Sequence, residues 1–425
     1  MTQGATPASL LEGCRVLDLA DEKGTYCSRV LADCGADVIA IEPPGGSPTR
    51  HVGPFYRDEV DPEKSLFWFY TNANKRGITL DLQSEEGRDL FLRLVDTADV
   101  VVESGPPGRL DRLGLGYEQL RRRKAALVMT SITPFGQTGP YKDYAVDDLV
   151  LTAMGGMVRL YGYLDTEPMR ITAPQAYLLG SIHGAMASAM ALCHAELTGQ
   201  GQFVDVSIQE AIVLALMIAT EVWDLLKVNL RGTGPFFVSP RPAPQPPLLT
   251  RQIWPVKDGF VMMLLSGGAQ AGAVASSRKI VQLANADGYA LEYADYAWEM
   301  QDAATITQEE INAMNATLEP WMLTQTKAEL FAWAVVDGLL IAPANTSKVL
   351  AESPLLAARR FWEQVVHPEL GQTITYPGAP LKVGAAPWQI RRRAPLLGEH
   401  NREVYERELG LSQEHLVQLT TAGVV

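Results

Sequence analysis

The chain has 425 residues, 47% of them apolar and 20% charged, enough to bury a large core in two domains or in one domain with an insertion. Its 49 acidic and 36 basic residues leave a net charge of −13, which argues against general nucleic-acid binding and against an anionic membrane surface. An anionic ligand must then be held by a local cluster of Lys and Arg.

Four cysteines (Cys14, Cys27, Cys34, Cys193) have no CxxC spacing and lie among apolar residues, the pattern of buried free thiols in a reducing compartment rather than of a zinc site. The opening MTQGATPASL lacks the charged and apolar segments of a signal peptide. The longest plain apolar run, residues 211–219, is too short to span a bilayer. These features predict a cytoplasmic protein without metal, nucleic-acid or membrane partners.

Residues 14–42 read as a βαβ unit: CRVLDLA a strand, 27–34 a helix, ADVIAIE a second strand. The turn Ala20-Asp21-Glu22-Lys23-Gly24 carries no GxGxxG, so a dinucleotide pyrophosphate has no cradle there and NAD is not expected. Strands follow at 79–82, 99–104 and 126–133, with a helix from Ser84 to about Ala98 whose first turn holds two glutamates. Strands alternating with helices predict an α/β fold with a doubly wound sheet. Arg109 and Arg112 follow a strand end, where such sheets bind ligands, while Lys75 and Arg76 precede a strand. Arg121-Arg122-Arg123-Lys124 sits at a helix end and complements the dipole in water.

Residues 171–211 stand apart. A helix crowded with Gly180, Ser181, Gly184, Ala185, Ser188 and Ala191 runs into Thr198-Gly199-Gln200-Gly201, then the alternating strand FVDVSI. So little bulk on one helix predicts close approach of another backbone or a ligand, and Gly199 suits a left-handed cap. Residues 209–226 continue as one long helix. Residues 230–249 hold six prolines and read as a linker. A hairpin at 254–265 opens a smaller α+β domain spanning 250–345, in which Thr326 and Glu329 form a capping box. Short strands around ELGQTITYPGAP and a helix after Ser412 end the chain.

Several stretches, taken together and in order, resemble the family III CoA-transferases, the group of formyl-CoA transferase, carnitine-pathway CoA-transferases and α-methylacyl-CoA racemase. They are ADCGADVIAIEPPGGSPTR, NANKRGITLDL, ADVVVESGPPGRLDRLGLGYEQL, ITPFGQTGPY, DDLVLTAMGG, LTGQGQFVDVSIQEA, PLLAARRFW and APLLGEHNREVYERELGL. The resemblance implies a Rossmann-like large domain built from residues 1–222 and 350–425, a linker at 223–249, and two subunits interlocked as a homodimer or a heteromer. It also implies coenzyme A, as an acyl-CoA substrate, and a free carboxylic acid.

In such enzymes a carboxylate attacks the thioester carbonyl, giving a mixed anhydride and a CoA thiolate, while backbone donors hold the oxyanion. The family places its nucleophilic Asp just before the small-residue helix, and the spacing to Gly180 and Gly199 puts that position at Ala176 or at most a neighbour such as Tyr177. Residues 169–194 contain no Asp or Glu. The family's Glu-Asn-Phe-Arg-Pro-Gly is here Glu103-Ser104-Gly105-Pro106-Pro107-Gly108, and its first turn is shortened to Asp21-Glu22-Lys23-Gly24-Thr25. Asp148 matches an acid near the site, as an auxiliary group or as the cap of the helix that follows it. Asp147 replaces the racemase branch's His, which disfavours racemisation. Lys75 and Arg112, with Arg109, match the CoA-side cations. The resemblance thus implies a non-catalytic subunit paired with an Asp-bearing relative, as in arylsuccinate-type CoA-transferases. The alternative is a stand-alone CoA-ester-converting enzyme that works without the aspartyl anhydride.

Overall fold

Short, near-continuous apolar runs set most strands of the sheet, and the computed structural model, which describes residues 9–239, 241, 246–302, 304–384 and 387–425, shows where each pairs. Six strands are parallel: β1 (Arg15–Asp18), β2 (Asp37–Glu42), β3 (Arg76–Thr79), β4 (Val100–Glu103), β5 (Val128–Thr133) and β6 (Phe203–Ser207). Their order is β3-β2-β1-β4-β5-β6, a doubly wound sheet whose direction of winding reverses between β1 and β4. Alternation sends Val16 and Val100 to one face and Leu17 and Val101 to the other, so each face has its own core.

The helices of this part are α1 (Thr25–Asp33), α2 (Leu66–Asn72), α3 (Glu85–Val95), α4 (Arg109–Arg112), α5 (Tyr117–Arg123), α6 (Asp148–Met154), α7 (Gln175–Thr198), α8 (Ile208–Ala215) and α9 (Ala219–Leu226). Leu31 of α1, Ala185 and Leu192 of α7 and Ile212 of α8 cover one face; Phe91 and Leu94 of α3 and Leu120 of α5 cover the other. The caps are local. Ser84 Oγ accepts from the Gly87 amide at 3.0 Å, and Gly199 ends α7 at φ +71°.

The chain divides into two compact units, the larger holding everything up to Val158, Arg170–Val228 and Pro354–Val425, the smaller Arg159–Met169 and Asn229–Ser353. Both chain ends therefore build the larger unit. Tyr405, fully buried, donates its hydroxyl to the Thr79 carbonyl at 2.7 Å, and the Asp81 amide donates to the Val424 carbonyl at 2.8 Å. In the smaller unit β7 (Phe236–Ser239) pairs with β8 (Leu248–Arg251), and β9 (Ile253–Val256), β10 (Gly259–Met263) and β11 (Ile341–Pro343) form an antiparallel sheet. Helices α10 (Ala271–Ala286), α11 (Gln308–Met322) and α12 (Lys327–Asp337) accompany it, and Trp254, Trp298 and Trp321 are buried in this unit's core. The Thr326–Glu329 capping box is present.

Four expectations change. The strand read at 79–82 is Arg76–Thr79, because pairing with β2 (Ile39 opposite Arg76) sets its start; Leu80 and Leu82 stay buried just beyond its end. The helix at 209–226 breaks where Met217 takes φ +52°, a break that no Gly or Pro announces. The stretch read as an irregular linker carries paired strands at its ends, while Pro240, Pro242 and Pro244 lie outside the described residues. Residues 159–169, placed by sequence in the larger domain, belong to the smaller unit: the Gly232 amide donates to the Arg159 carbonyl at 2.9 Å and the Gly234 amide to the Gly162 carbonyl at 2.8 Å. Helix α7 is also long and apolar enough to cross a membrane by length and composition, although its serines and histidines interrupt any plain apolar run.

Candidate functional site

The small residues of α7 answer a packing demand. A Cβ on Gly180 would stand 2.7 Å from Ile208 Cγ1, and one on Gly184 would stand 2.7 Å from Ile132 Cδ1, so α7 lies against β5 and the start of α8 with no room for a methyl group. Ser181 donates to the Lys23 carbonyl at 3.2 Å, and Ser188 and Thr130 share a hydroxyl contact of 2.7 Å. His183 turns its Nδ1 to the Leu179 carbonyl at 2.8 Å, a histidine satisfied within its own helix. This close contact holds the first βα turn over the leading edge of α7.

Ala176 lies at that edge, fully buried. Helix α7 has no capping side chain of its own, since Pro174 holds its N-cap position. The acceptor comes from elsewhere: Asp148 Oδ1 takes the Tyr177 amide at 3.2 Å. Burial pushes the Asp148 carboxyl above its ordinary range, and the amides of Tyr177, Ala176 and Gln175 pull it back down. Asp147, not Asp148, caps α6, accepting the Val150 amide at 2.9 Å. The neighbouring Tyr177 hydroxyl is pushed up by burial and then by Glu22, Asp148, Asp21 and Asp147. The position expected for a nucleophile is therefore a buried methyl group, and Asp148, the carboxylate that reaches this helix start, serves the helix amides.

Lys75 differs from its expected role. It is fully buried, and its ammonium lies 2.8 Å from each of Asp18 Oδ2, the Thr25 carbonyl, Thr25 Oγ1 and Asn72 Oδ1. It presents no face to a phosphate, and it locks β1, α1 and α2 together. Burial lowers its pKa against the pull of Asp18. The signal that sequence reading missed was Asp18 at the end of β1, an acid that needed a cation.

A cleft of about 350 Å³ opens at the carboxyl ends of β1 to β4, lined among others by Asp21, Pro43, Leu80, Asp81, Gly105 and Arg109. Glu42 and Asp18 also border it, but each carboxylate is neutralised within the fold. Arg50 reaches Glu42 Oε2 at 2.6 Å and Oε1 at 2.8 Å, and Lys75 holds Asp18. Lys23 pairs with Asp21, whose Oδ1 also accepts the Ser104 hydroxyl at 2.7 Å. Arg109 is half-buried on this cleft; Arg112, one turn on, is exposed and has no ion-pair partner among the described residues.

The altered loop after β4 is held from behind. Glu103 accepts the Gly105 amide at 2.8 Å and the Ser131 hydroxyl, and burial raises its pKa. Ser131 Oγ in turn accepts Gln137 Nε2 at 2.8 Å, and the Gln137 amide is shared by both Asp205 oxygens at 3.0 and 3.1 Å. Asp205 thereby ties the 134–141 loop to β6. In the smaller unit, Gly267-Gly268 is a packed turn: a Cβ on Gly267 would meet the Trp298 carbonyl oxygen at 2.3 Å.

Comparison with known proteins agrees with this architecture. The profile of CoA-transferase family III matches residues 11–401. Succinyl-CoA:(R)-benzylsuccinate CoA-transferase subunit BbsE of Thauera aromatica is 37% identical, over 92% of this chain and 92% of its own length. The succinyl-CoA–D-citramalate CoA-transferase of Chloroflexus aurantiacus is 32% identical, over 99% of each chain. A CAIB/BAIF family protein from Brucella suis superposes with a TM-score of 0.79 at 28% identity, covering 94% of this chain and 99% of its own. On this match and this fold, the chain belongs to CoA-transferase family III.

Proposed function

We propose that this chain is the non-catalytic subunit of a cytoplasmic acyl-CoA:carboxylate CoA-transferase, working beside a related chain that carries the nucleophilic Asp. The observation that carries this reading is the leading edge of α7, where Ala176 is a buried methyl group and Asp148 is engaged by the helix amides. Anhydride chemistry needs a carboxylate free to attack the thioester carbonyl, and a carboxylate accepting a helix cap is a poor nucleophile. The acidic groups that raise the pKa of the adjoining Tyr177 hydroxyl also disfavour a second anion, whether a substrate carboxylate or a CoA thiolate. The similarity to a protein named as a subunit supports the same reading. CoA would lie at the carboxyl-end cleft, with Arg109 and Arg112 as the cations for its phosphates.

The test combines trapping with co-purification. The chain alone, incubated with an acyl-CoA and then with hydroxylamine or borohydride, should show no mass shift, and pulled from its native host it should bring an Asp-bearing homologue. A stoichiometric adduct on this chain would overturn the proposal in favour of a stand-alone enzyme.

A further inference from the structure

The consecutive arginines Arg391, Arg392 and Arg393 take no part in the cleft or in the start of α7, and they differ in their pairing. Arg393 is neutralised, by Glu369 at 2.8 Å and by Glu399 at 2.8 and 2.9 Å. Arg391 and Arg392 have no ion-pair partner among the described residues; Arg391 gives one guanidinium N–H to the Ala32 carbonyl at 2.5 Å. Both line a pocket of about 210 Å³, with Gly35, Asp37, Asn74 and Arg76, at the amino ends of β1, β2 and β3. The cleft proposed for coenzyme A opens at the opposite end of these strands.

One buried side chain holds the pair in place. Asn74, at φ +67°, accepts the Arg391 and Arg392 amides on its Oδ1 at 2.6 and 3.1 Å. Its Nδ2 donates to Asp33 Oδ1 at 2.6 Å and to the Gln389 carbonyl at 2.8 Å. The nearby acids are already committed: Asp33 to Arg29 at 2.6 Å and to the Trp388 indole at 2.8 Å, Asp37 to Arg15 and Arg76, and Glu403 and Glu408 to Arg76. Partial burial lowers the Arg391 pKa; Asp33 opposes that fall, and the like charge of Arg392 adds to it. Two adjacent positive charges are thus fixed at one pocket, in a chain whose net charge is −13.

We propose that this pocket is an anion site for a phosphate dianion, either free or at the end of a short phosphate monoester. Guanidinium forks match phosphate oxygens two at a time, and a group of nearly two negative charges answers two unpaired arginines better than a single carboxylate does. At about 210 Å³ the pocket lies below the roughly 300 Å³ at which pockets for drug-sized ligands begin, so a molecule the size of coenzyme A does not fit within it. An occupant ties the C-terminal segment at Arg391 and Arg392 to the turn between α1 and β2, at Gly35 and Ala36, and so reinforces the join that Asn74 makes between the two ends of the chain. The inference stands apart from the catalytic reading, since it needs neither Ala176 nor Asp148.

Phosphorus NMR and titration calorimetry of the full chain at constant ionic strength test it, with inorganic phosphate and glycerol 3-phosphate as the probes. Saturable binding at one site per chain is expected for at least one probe, and the tighter probe identifies the source of the dianion. Arg392→Gln, which removes no side-chain hydrogen bond among the described residues, should weaken binding about tenfold with circular dichroism unchanged, and Arg391→Gln/Arg392→Gln should weaken it further. Arg402→Gln, at an exposed arginine 3.4 Å from Glu406, should leave binding as it is, and so should saturating coenzyme A. No saturable binding of either probe at millimolar concentration, equal affinity in Arg392→Gln and the wild type, or displacement by coenzyme A would each overturn the proposal.

Discussion

Asp148→Ala tests the architecture of the site most directly. The carboxylate is the acceptor that α7 lacks at its own N-cap, serving a helix of 24 residues from a position 29 residues earlier in the chain. Losing a capping side chain costs about 0.5–2 kcal/mol, and a buried amide left unsatisfied costs about 1–3 kcal/mol, the lower end applying to this part-buried contact. These overlap, so the expected loss is about 2 kcal/mol, a fall in Tm of roughly 4–8 °C for a unit of this size. Asp148→Asn keeps a carbonyl oxygen in place and should cost less than about 1 kcal/mol at neutral pH. The pH dependence has a definite sign. Burial holds the Asp148 carboxyl above its unfolded value, so the native state binds its proton more tightly than the unfolded state does. The wild type therefore loses stability from this group as pH rises from about 4 through the raised native pKa. Asn has no such loss, and the Asn variant should gain on the wild type across that window. Urea unfolding followed by circular dichroism at several pH values measures both effects. An Ala variant as stable as the wild type would refute the capping role, and an Asn variant whose curve runs parallel to the wild type's would refute the raised native pKa.

Three further outcomes follow from the site. Ala176→Asp should not by itself restore an acyl adduct, and it should destabilise the chain above pH 5 by about 2–4 kcal/mol, because it buries a second carboxylate beside Asp148; trapping and thermal melts read the two effects separately. Lys75→Met should leave Asp18 buried without its cation and cost about 3–5 kcal/mol, seen as lost soluble yield or a lowered Tm, whereas a variant that melts normally but fails to bind CoA would return Lys75 to the phosphate role. Arg109→Ala and Arg112→Ala should each weaken CoA binding about tenfold by titration calorimetry, roughly 1.4 kcal/mol, with Arg112→Ala leaving the melting temperature unchanged; equal affinity in both variants would move the CoA site away from this cleft.

Much of the fold is legible in the sequence because its signals are local. The short apolar runs around Val16 and Val100 name the sheet strands, Ser84 and the Thr326–Glu329 pair mark helix starts, and Gly199 marks a helix end, each through neighbours within a turn or two. The crowd of small residues on α7 likewise announces a close approach, and Ile132 and Ile208 are what approaches. The absence of any Asp or Glu from residues 169–194 is also plain from sequence, while its meaning at Ala176 comes from the family resemblance. The break at Met217 is silent because nothing in the local sequence demands it. What only the tertiary structure decides is the partner of each charge. Lys75 looks like a free cation until folding brings Asp18, 57 residues away, against it, and Asp148 looks like the cap of α6 until α7 arrives with unsatisfied amides. The reason is physical: propensity and capping are set by atoms a few bonds apart, whereas burial, and with it the cost of an unpaired charge or amide, exists only when distant segments exclude water together.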